Sequence, residues 1–254
     1  MDRMLYVAMT GASQALEQQG QIANNLANAS TTGFRAQLSA FRSAPLRTQD
    51  QLATGDTKVT RTYVVDTTAA SNFEPGPIQQ TGNSLDVSLT GPGWLTVQTA
   101  DGNEAYTRAG NLSINADGQL VSSRGLPVIG ANGPIAVPQG ADITISNDGT
   151  VSALTPGDPP NTITTVDQLK LVNPDPKTLV RGDDGLFRVA NGQPADADPA
   201  VEVAPGTLEG SNVNPVNEMV AMIANSRQFD MQMKLLQTAD NDDQSANAIL
   251  TFTS

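Results

Sequence analysis

Apolar residues recur with a helical period at both ends of the chain and alternate over short runs in between. Near the N-terminus they are spaced alternately four and three residues apart, which is the spacing of a heptad seam. This seam comprises Leu5, Met9, Ala12, Leu16, Gln19, Ala23 and Leu26. It is widened on one side by Ala8, Ala15, Ile22 and Ala29. The pattern predicts a helix that ends near Gly33, where glycine can adopt the left-handed cap conformation.

A second helix is predicted at the C-terminal end. Asn214 and Pro215 form a start signal, because Asn favours the N-cap and Pro the first helical position. Beyond them runs a second narrow seam, made of Met219, Met222, Ser226, Phe229, Met233 and Leu236. We expect the two terminal helices to pair in a coiled-coil-like layer.

The middle of the chain has short alternating runs broken by turn pairs, which indicates β-hairpins. The turn pairs are Asp101-Gly102, Asp117-Gly118, Asn132-Gly133, Asp148-Gly149 and Asn191-Gly192. The predicted fold class is therefore α+β, with paired terminal helices and a central all-β domain. We expect a helical assembly domain at residues 1–33 and 213–254, an extended connector at 34–70, and a central β domain with Pro/Gly-rich loops at 71–212.

Composition narrows the chemistry that the chain can perform. Its 254 residues include no Cys and no His, which removes thiolate nucleophiles, imidazole bases and most zinc sites. The net charge of −12 argues against binding to nucleic acid or an anionic membrane. Aspartates in Gly/Pro-rich surroundings, such as Asp183-Asp184 and Asp196, are typical of solvated turns rather than calcium sites. We expect no catalytic, cofactor or metal site.

Apolar runs along the chain are short. The run at residues 219–224 is far below the length of a membrane span, and the run at residues 5–9 is too short for the core of a secretory signal peptide. We therefore expect no membrane insertion and no cleaved signal peptide, while export by another route stays open.

The terminal seams indicate a polymer. Each predicted helix carries a long, narrow apolar stripe, and burying that stripe against a single partner offsets only part of the entropy lost on ordering the helix. Neighbouring subunits on several sides would complete the burial, and a head-to-tail contact that does not close generates a filament. We expect the helices to be loose in the monomer and ordered in the assembly. The expected subunit-interface residues are Leu5, Met9, Ala12, Leu16, Ala23, Leu26, Met219, Met222, Phe229, Met233 and Leu236.

Several segments resemble one known family. These segments are Ala23-Asn24-Asn25-Leu26-Ala27-Asn28 followed by Ser30-Thr31-Thr32-Gly33-Phe34-Arg35, then Gly91-Pro92-Gly93-Trp94, Tyr106-Thr107-Arg108-Ala109-Gly110-Asn111 and Leu208-Glu209-Gly210-Ser211-Asn212-Val213-Asn214. Together they are similar to the signatures of the bacterial flagellar rod and hook proteins. The motif residues are Asn24, Asn25, Leu26, Ala27, Asn28, Thr32, Gly33 and Phe34. The asparagine amides are suited to hydrogen-bond neighbouring backbone where helix ends crowd together; the alternative is an ordinary helix end with a polar surface.

The resemblance implies a structural subunit, not an enzyme. It implies export in unfolded form by the flagellar type III apparatus, and assembly in the periplasm with copies of itself and other rod proteins. The product would be part of the basal-body rod, a drive shaft that transmits torque. The opening Met1-Asp2-Arg3 is most similar to that of proximal-rod members, while a distal-rod or hook-type member of the family stays open.

Two functions from other classes remain as alternatives. A secreted hydrolase on a β scaffold would need two carboxylic acids whose environments separate their pKa values, and no such pair is marked by its spacing. An adhesive surface module would use the β domain but would leave the helical seams without a purpose.

Overall fold

A computed structural model describes residues 2–45, 62–155 and 163–251. The chain divides into two compact units. The helical unit comprises Met1–Asn28, Gln37–Asn72 and Val213–Ser254, and the central unit comprises Ala29–Ala36 and Phe73–Asn212. The chain therefore leaves the helical unit after the first helix, contributes a short segment to the central unit, returns, and then builds most of the central unit.

Within the described residues, the helical unit contains two helices and a strand pair. Helix α1 spans Asp2–Ala27 and helix α2 spans Pro215–Thr251. The α+β fold class predicted from the sequence, with both terminal helices packed together, is confirmed. Asn214 is the N-cap of α2, since its Oδ1 accepts hydrogen bonds from the backbone N–H groups of Val216 at 3.0 Å and Asn217 at 3.3 Å.

Strands occupy part of the segment that we expected to be an extended connector. Strand β1 spans Gln37–Pro45 and pairs antiparallel with β2 at Thr62–Ser71. Threonine, valine and tyrosine dominate the start of β2, and these residue types favour a strand even where strict alternation is missing. Residues 46–61 of the expected connector lie outside the described part of the chain.

The central unit is built from short antiparallel strands. They are β3 Ile78–Gln80, β4 Val87–Thr90, β5 Trp94–Gln98, β6 Glu104–Thr107, β7 Leu112–Ile114, β8 Leu120–Ser122, β9 Ile129–Gly130, β10 Gly133–Pro134, β11 Asp142–Ile145, β12 Thr150–Leu154, β13 Thr164–Gln168, β14 Leu171–Val172, β15 Leu179–Arg181, β16 Phe187–Val189, β17 Glu202–Pro205 and β18 Thr207–Glu209. A 3-10 turn at Pro176–Thr178 precedes β15. The largest sheet has the order β14-β5-β6-β16-β15, and β11-β12-β13 form a second sheet. The remaining strands pair as β9 with β10, β7 with β8, β4 with β17 and β3 with β18.

Four of the predicted turn pairs join strands that pair with each other. The turns that contain Gly102, Gly118 and Gly149 connect β5 to β6, β7 to β8 and β11 to β12, and Gly133 begins β10 directly after the turn from β9. Each of these glycines has a positive φ, which explains why Asp-Gly and Asn-Gly mark the hairpins. The fifth pair, at Gly192, follows β16 without joining it to a partner strand.

A continuous aliphatic core lies inside the central unit and contains Leu95, Leu120 and Val151, all at most 1% exposed. A smaller aromatic cluster adjoins the largest sheet. In it the rings of Trp94 and Phe187 are 4.6 Å apart between centroids. The large apolar side chains of this unit are thus mostly satisfied within the unit itself.

Candidate assembly interface

The two helices of the helical unit run antiparallel. Asn25, near the end of α1, donates a hydrogen bond to Glu218 in the first turn of α2 at 3.3 Å. Further along α2, Asn225 donates to the backbone carbonyl of Ala15 at 2.7 Å. Residue numbers therefore increase along one helix in the direction in which they decrease along the other.

Helix α1 has two faces with different contents. Its buried face consists mainly of small side chains, namely Ala8, Ala12, Ala15 and Ile22, each at most 8% exposed. Small residues of this kind allow a neighbouring backbone to approach closely. Two large residues of the predicted seam lie on the exposed side of the helix, since Met9 is 58% and Leu16 is 60% exposed. Ala23 is also exposed, Leu26 is partly buried, and the side chain of Leu5 lies outside the described part of the structure.

Helix α2 is divided in a similar way. Of the predicted residues, Met222, Phe229 and Leu236 are partly buried, while Met219 and Met233 are exposed. Sequence reasoning missed an additional exposed apolar stripe at the start of α2, formed by Val216, Val220 and Ile223. Its four-and-three spacing is a signal in the sequence, but the methionine-rich seam beside it has the same spacing over a longer stretch.

The asparagine motif closes the end of α1. Asn25 is 4% exposed, and its side-chain amide pairs with the backbone of Gln37: Oδ1 accepts from the N–H at 2.8 Å and Nδ2 donates to the carbonyl at 3.0 Å. Asn28 donates from Nδ2 to the carbonyl of Asn24 at 2.9 Å, while the side chain of Asn24 is exposed. Ala27 is exposed as well. Asn25 therefore ties α1 to the beginning of β1.

The motif residues that follow belong to the central unit. Helix α1 ends at Ala27, and Gly33 has the predicted positive φ of 67°, but Gly33 does not cap the helix. Its N–H donates to the carbonyl of Glu209 at 2.7 Å, and a Cβ on it would lie 2.3 Å from the carbonyl carbon of Arg108. Only glycine fits so close an approach. Thr32 beside it is partly buried.

Phe34 is 8% exposed and lies beneath the Arg181 guanidinium, whose central carbon is 4.5 Å from the ring centroid. Arg181 also donates to the carbonyl of Arg35 at 2.8 Å. The segment 29–36 is thus held to the central unit through both side chains and backbone.

Three charged side chains are buried together beside this segment. Arg35 and Arg108 both contact the Glu209 carboxylate, at 2.7 and 3.0 Å, and Arg35 is 1% exposed. The carboxylate also accepts from the N–H of Gly76 at 2.9 Å. Burial lowers the pKa of Arg108, and Glu209 partly offsets that effect. We call Arg35, Arg108 and Glu209 the ion cluster.

Sequence reasoning assigned no role to the ion cluster, although its members lie inside the segments that carry the family resemblance. The available signal was weak: each is a charged residue among small or apolar neighbours, and their pairing across 101 residues or more cannot be deduced from local spacing. The structure brings them together because Arg108 follows β6, Glu209 ends β18, and Arg35 follows Phe34.

A hydrolase would need a cleft with suitably placed acids, and a metalloprotein would need a cluster of metal ligands. A cleft of about 410 Å³ in the central unit contains Glu104, Asp148 and Lys170. Glu104 forms an ion pair with Lys170 at 2.7 Å. Hydrogen bonds from Thr150 lower the pKa of Asp148, which is the opposite of what a general acid near neutral pH requires. Among the described residues, no group of three acidic side chains is arranged to hold a metal ion. The described helices also include none that is long and apolar enough to cross a bilayer.

Three family models match the chain, in the order in which its segments occur. Residues 5–35 match the family described as flagella basal body rod protein, residues 88–153 match the flagellar hook protein FlgE/F/G D1 domain, and residues 204–249 match the flagellar basal body rod FlgEFG protein C-terminal family. Each matched segment supplies one member of the ion cluster, Arg35, Arg108 and Glu209 respectively.

Full-length relatives show the same similarity. The flagellar basal-body rod protein FlgF of Salmonella typhimurium is 48% identical, over 99% of this chain and 100% of the relative. FlgF of Escherichia coli K12 is 49% identical over the same shares. A flagellar basal-body rod protein named FlgG, from Buchnera aphidicola of Schizaphis graminum, is 31% identical over 93% of this chain and 95% of the relative.

Proposed function

The chain belongs to the flagellar basal-body rod protein family, and on that premise we propose that it polymerises through its terminal helices into the proximal part of the rod. It is a structural subunit of the rod. We propose that it has no enzymatic activity and that its partners are further copies of itself and other rod proteins.

The exposed apolar surface of the helical unit carries this proposal. Met9, Leu16, Val220 and Ile223 are each more than half exposed although they lie on helices that already pack against each other. Large apolar side chains that recur on an exposed helix face mark contact surfaces, because a monomer gains nothing from presenting them to water. Helices of neighbouring subunits would cover them, and a contact that repeats without closing produces a filament.

Transmission of torque follows from such an arrangement. A filament whose subunits interlock through long helices resists twisting at every contact between neighbours. The antiparallel pairing within each subunit leaves apolar surface on both helices, so each subunit can contact neighbours through α1 and α2 at once. The rod would therefore act as a drive shaft.

The proximal assignment is supported by the degree of similarity to two kinds of rod protein. FlgF is the proximal-rod member of the family, and the FlgF relatives from Salmonella and E. coli are 48% and 49% identical. The FlgG relatives are 30% to 34% identical, and FlgF relatives from more distant bacteria are 29% to 32% identical. We further propose that the chain reaches the periplasm through the flagellar type III export apparatus without a cleaved signal peptide. Family membership supports this route.

Swimming provides the test. In a flagellated bacterium that lacks its own proximal-rod protein and swims when given this chain, Leu16→Asp should abolish swimming, since it places a charge on the exposed apolar face. Leu16→Met is the matched control, because it keeps an apolar side chain of similar volume at the same position and should leave swimming unchanged. Secreted protein is measured in parallel, so that a failure of export is separated from a failure of assembly. Full swimming with Leu16→Asp would contradict the proposal.

A further inference from the structure

The face of α2 that meets α1 alternates polar side chains with the partly buried Met222, Phe229 and Leu236, while an apolar stripe at the start of the helix is left exposed. Val216, Val220 and Ile223 are 66%, 61% and 56% exposed. By contrast, Asn225 is only 4% exposed and lies between the two helices. An amphipathic helix normally buries its most apolar stripe, and at the start of α2 that stripe is the exposed one, so apolar burial alone does not determine which face meets α1 there.

Three polar side chains on α2 recur one heptad apart and all reach α1. Glu218 accepts from Asn25 at 3.3 Å. Asn225 donates to Ala15 at 2.7 Å and to Oε1 of Gln19 at 2.8 Å. We call Glu218, Asn225 and Gln232 the polar ladder.

The third member, Gln232, contacts α1 at a glycine, where α1 has no side chain. Its amide lies over Gly11, with Cδ and Nε2 each 3.0 Å from the point that a Cβ would occupy. Gly11 thereby leaves room for a polar group that a larger residue would displace. The next residue on the same heptad position, Ala239, is small and 4% exposed.

Asn225, the central member of the polar ladder, would be destabilising if it were buried without its present hydrogen-bond partners. Both hydrogens of the Asn225 amide are used, while its Oδ1 has no donor among the described residues. If this amide lost its two acceptors but stayed buried, the free energy lost would exceed what the two hydrogen bonds contribute now, because its desolvation would be uncompensated. Polar groups at single core positions of helix pairs are known to select one arrangement at some cost in stability.

We infer that the polar ladder selects the face of α2 that meets α1, and so leaves the Val216, Val220 and Ile223 stripe outside the pair. Without the ladder, a rotation of α2 about its axis would bury that stripe against α1. The facing of the helices is independent of polymerisation. Only the further step, that the freed stripe contacts neighbouring subunits, rests on the function proposed above.

Thiol reactivity in the dilute monomer tests the facing directly. The chain has no cysteine, so a single cysteine at Val220→Cys or Met222→Cys reports one face of α2 each. With Asn225 present, a water-soluble maleimide should react faster at position 220 than at position 222. In Asn225→Ala, position 220 should slow and position 222 should speed up. The ratio of the two rates should change by about tenfold, as expected from the loss of two side-chain hydrogen bonds.

Each outcome is decisive. If Asn225→Ala raises both rates together, Asn225 merely stabilises the helices, and unchanged rates mean that it selects nothing; either result overturns the inference. So does a ratio near one in the parent protein.

Ser226→Ala, a change at an exposed neighbour, should leave the ratio unchanged. Gln19→Ala should shift the ratio in the same direction as Asn225→Ala but less, since Ala15 still accepts. Swimming and polymer formation are measured separately, so failure of the rod function leaves this readout intact.

Discussion

The central unit and the helical unit bury different kinds of side chain. In the central unit, large aliphatic residues such as Leu95 and Leu120 are at most 1% exposed and pack in one cluster. In the helical unit, alanines and an asparagine fill the space between the helices, while Met9 and Leu16 are 58% and 60% exposed. The first unit satisfies its own apolar surface, whereas the second leaves much of it for other molecules.

The same contrast extends to buried polar groups. The ion cluster of the central unit joins residues that are far apart in sequence, so it closes the fold of a single chain. The polar ladder of the helical unit arranges two helices without hiding their apolar stripes. One unit therefore depends on contacts within the chain, and the other is expected to depend on neighbours.

The largest effect should come from the ion cluster. Glu209→Ala leaves two buried guanidinium groups without their carboxylate, and breaking a buried ion pair in this way typically costs about 3–5 kcal/mol in the free energy of unfolding. Denaturant unfolding followed by fluorescence is suitable, because Trp94 is the only tryptophan and lies in the central unit. Glu202→Ala, at an exposed carboxylate on β17, is the control. A loss no greater than that of the control would show that the ion cluster does not hold this unit together.

A smaller but still substantial loss is expected at Gly33. Alanine there meets both a positive φ and the backbone of Arg108, so Gly33→Ala should destabilise the central unit by roughly 2–4 kcal/mol. Gly91→Ala separates the two causes, because Gly91 has a φ of 83° but open space where a Cβ would lie. That variant should lose only about 1 kcal/mol. Equal losses in the two variants would mean that the close approach at Gly33 is unimportant.

The smallest effect should appear between the helices. Ala15→Leu inserts a large side chain at a buried contact with α2 and should cost about 1–3 kcal/mol of helix pairing. Ala23→Leu, on the exposed face of α1, should be nearly neutral. Thermal loss of helical circular dichroism gives both values. If Ala23→Leu were the more damaging change, the assignment of the two faces of α1 would be reversed.

The helices, the hairpin turns and the all-β nature of the middle could be predicted from the sequence, because each depends on local patterns. Asn214-Pro215 and Asp148-Gly149 determine a helix start and a turn through their own backbone preferences. Which face of each helix is buried was harder to predict from the seams. Met9 and Leu16 have the spacing of a core face, yet Ala12 and Ala15 lie on the buried side, since close helix approach favours small residues over large ones.

The ion cluster and the β1–β2 pair were not predictable from local patterns. Arg35, Arg108 and Glu209 meet only after three distant segments have folded, and β2 has high β propensity without strict alternation. The predicted interface residues and domain boundaries remain predictions.

The central claim is that the helical unit is completed by other subunits. Amide hydrogen exchange, measured by mass spectrometry on the dilute monomer and on the polymer, tests it most directly. In the monomer, residues 2–27 and 215–251 should exchange faster than strands β5 and β12 of the central unit, because the helix pair forms but opens more often than the strands do. Polymerisation should slow exchange in the helices while leaving the strands unchanged. Helices that are as protected as those strands in the dilute monomer, with no further protection on assembly, would contradict the account.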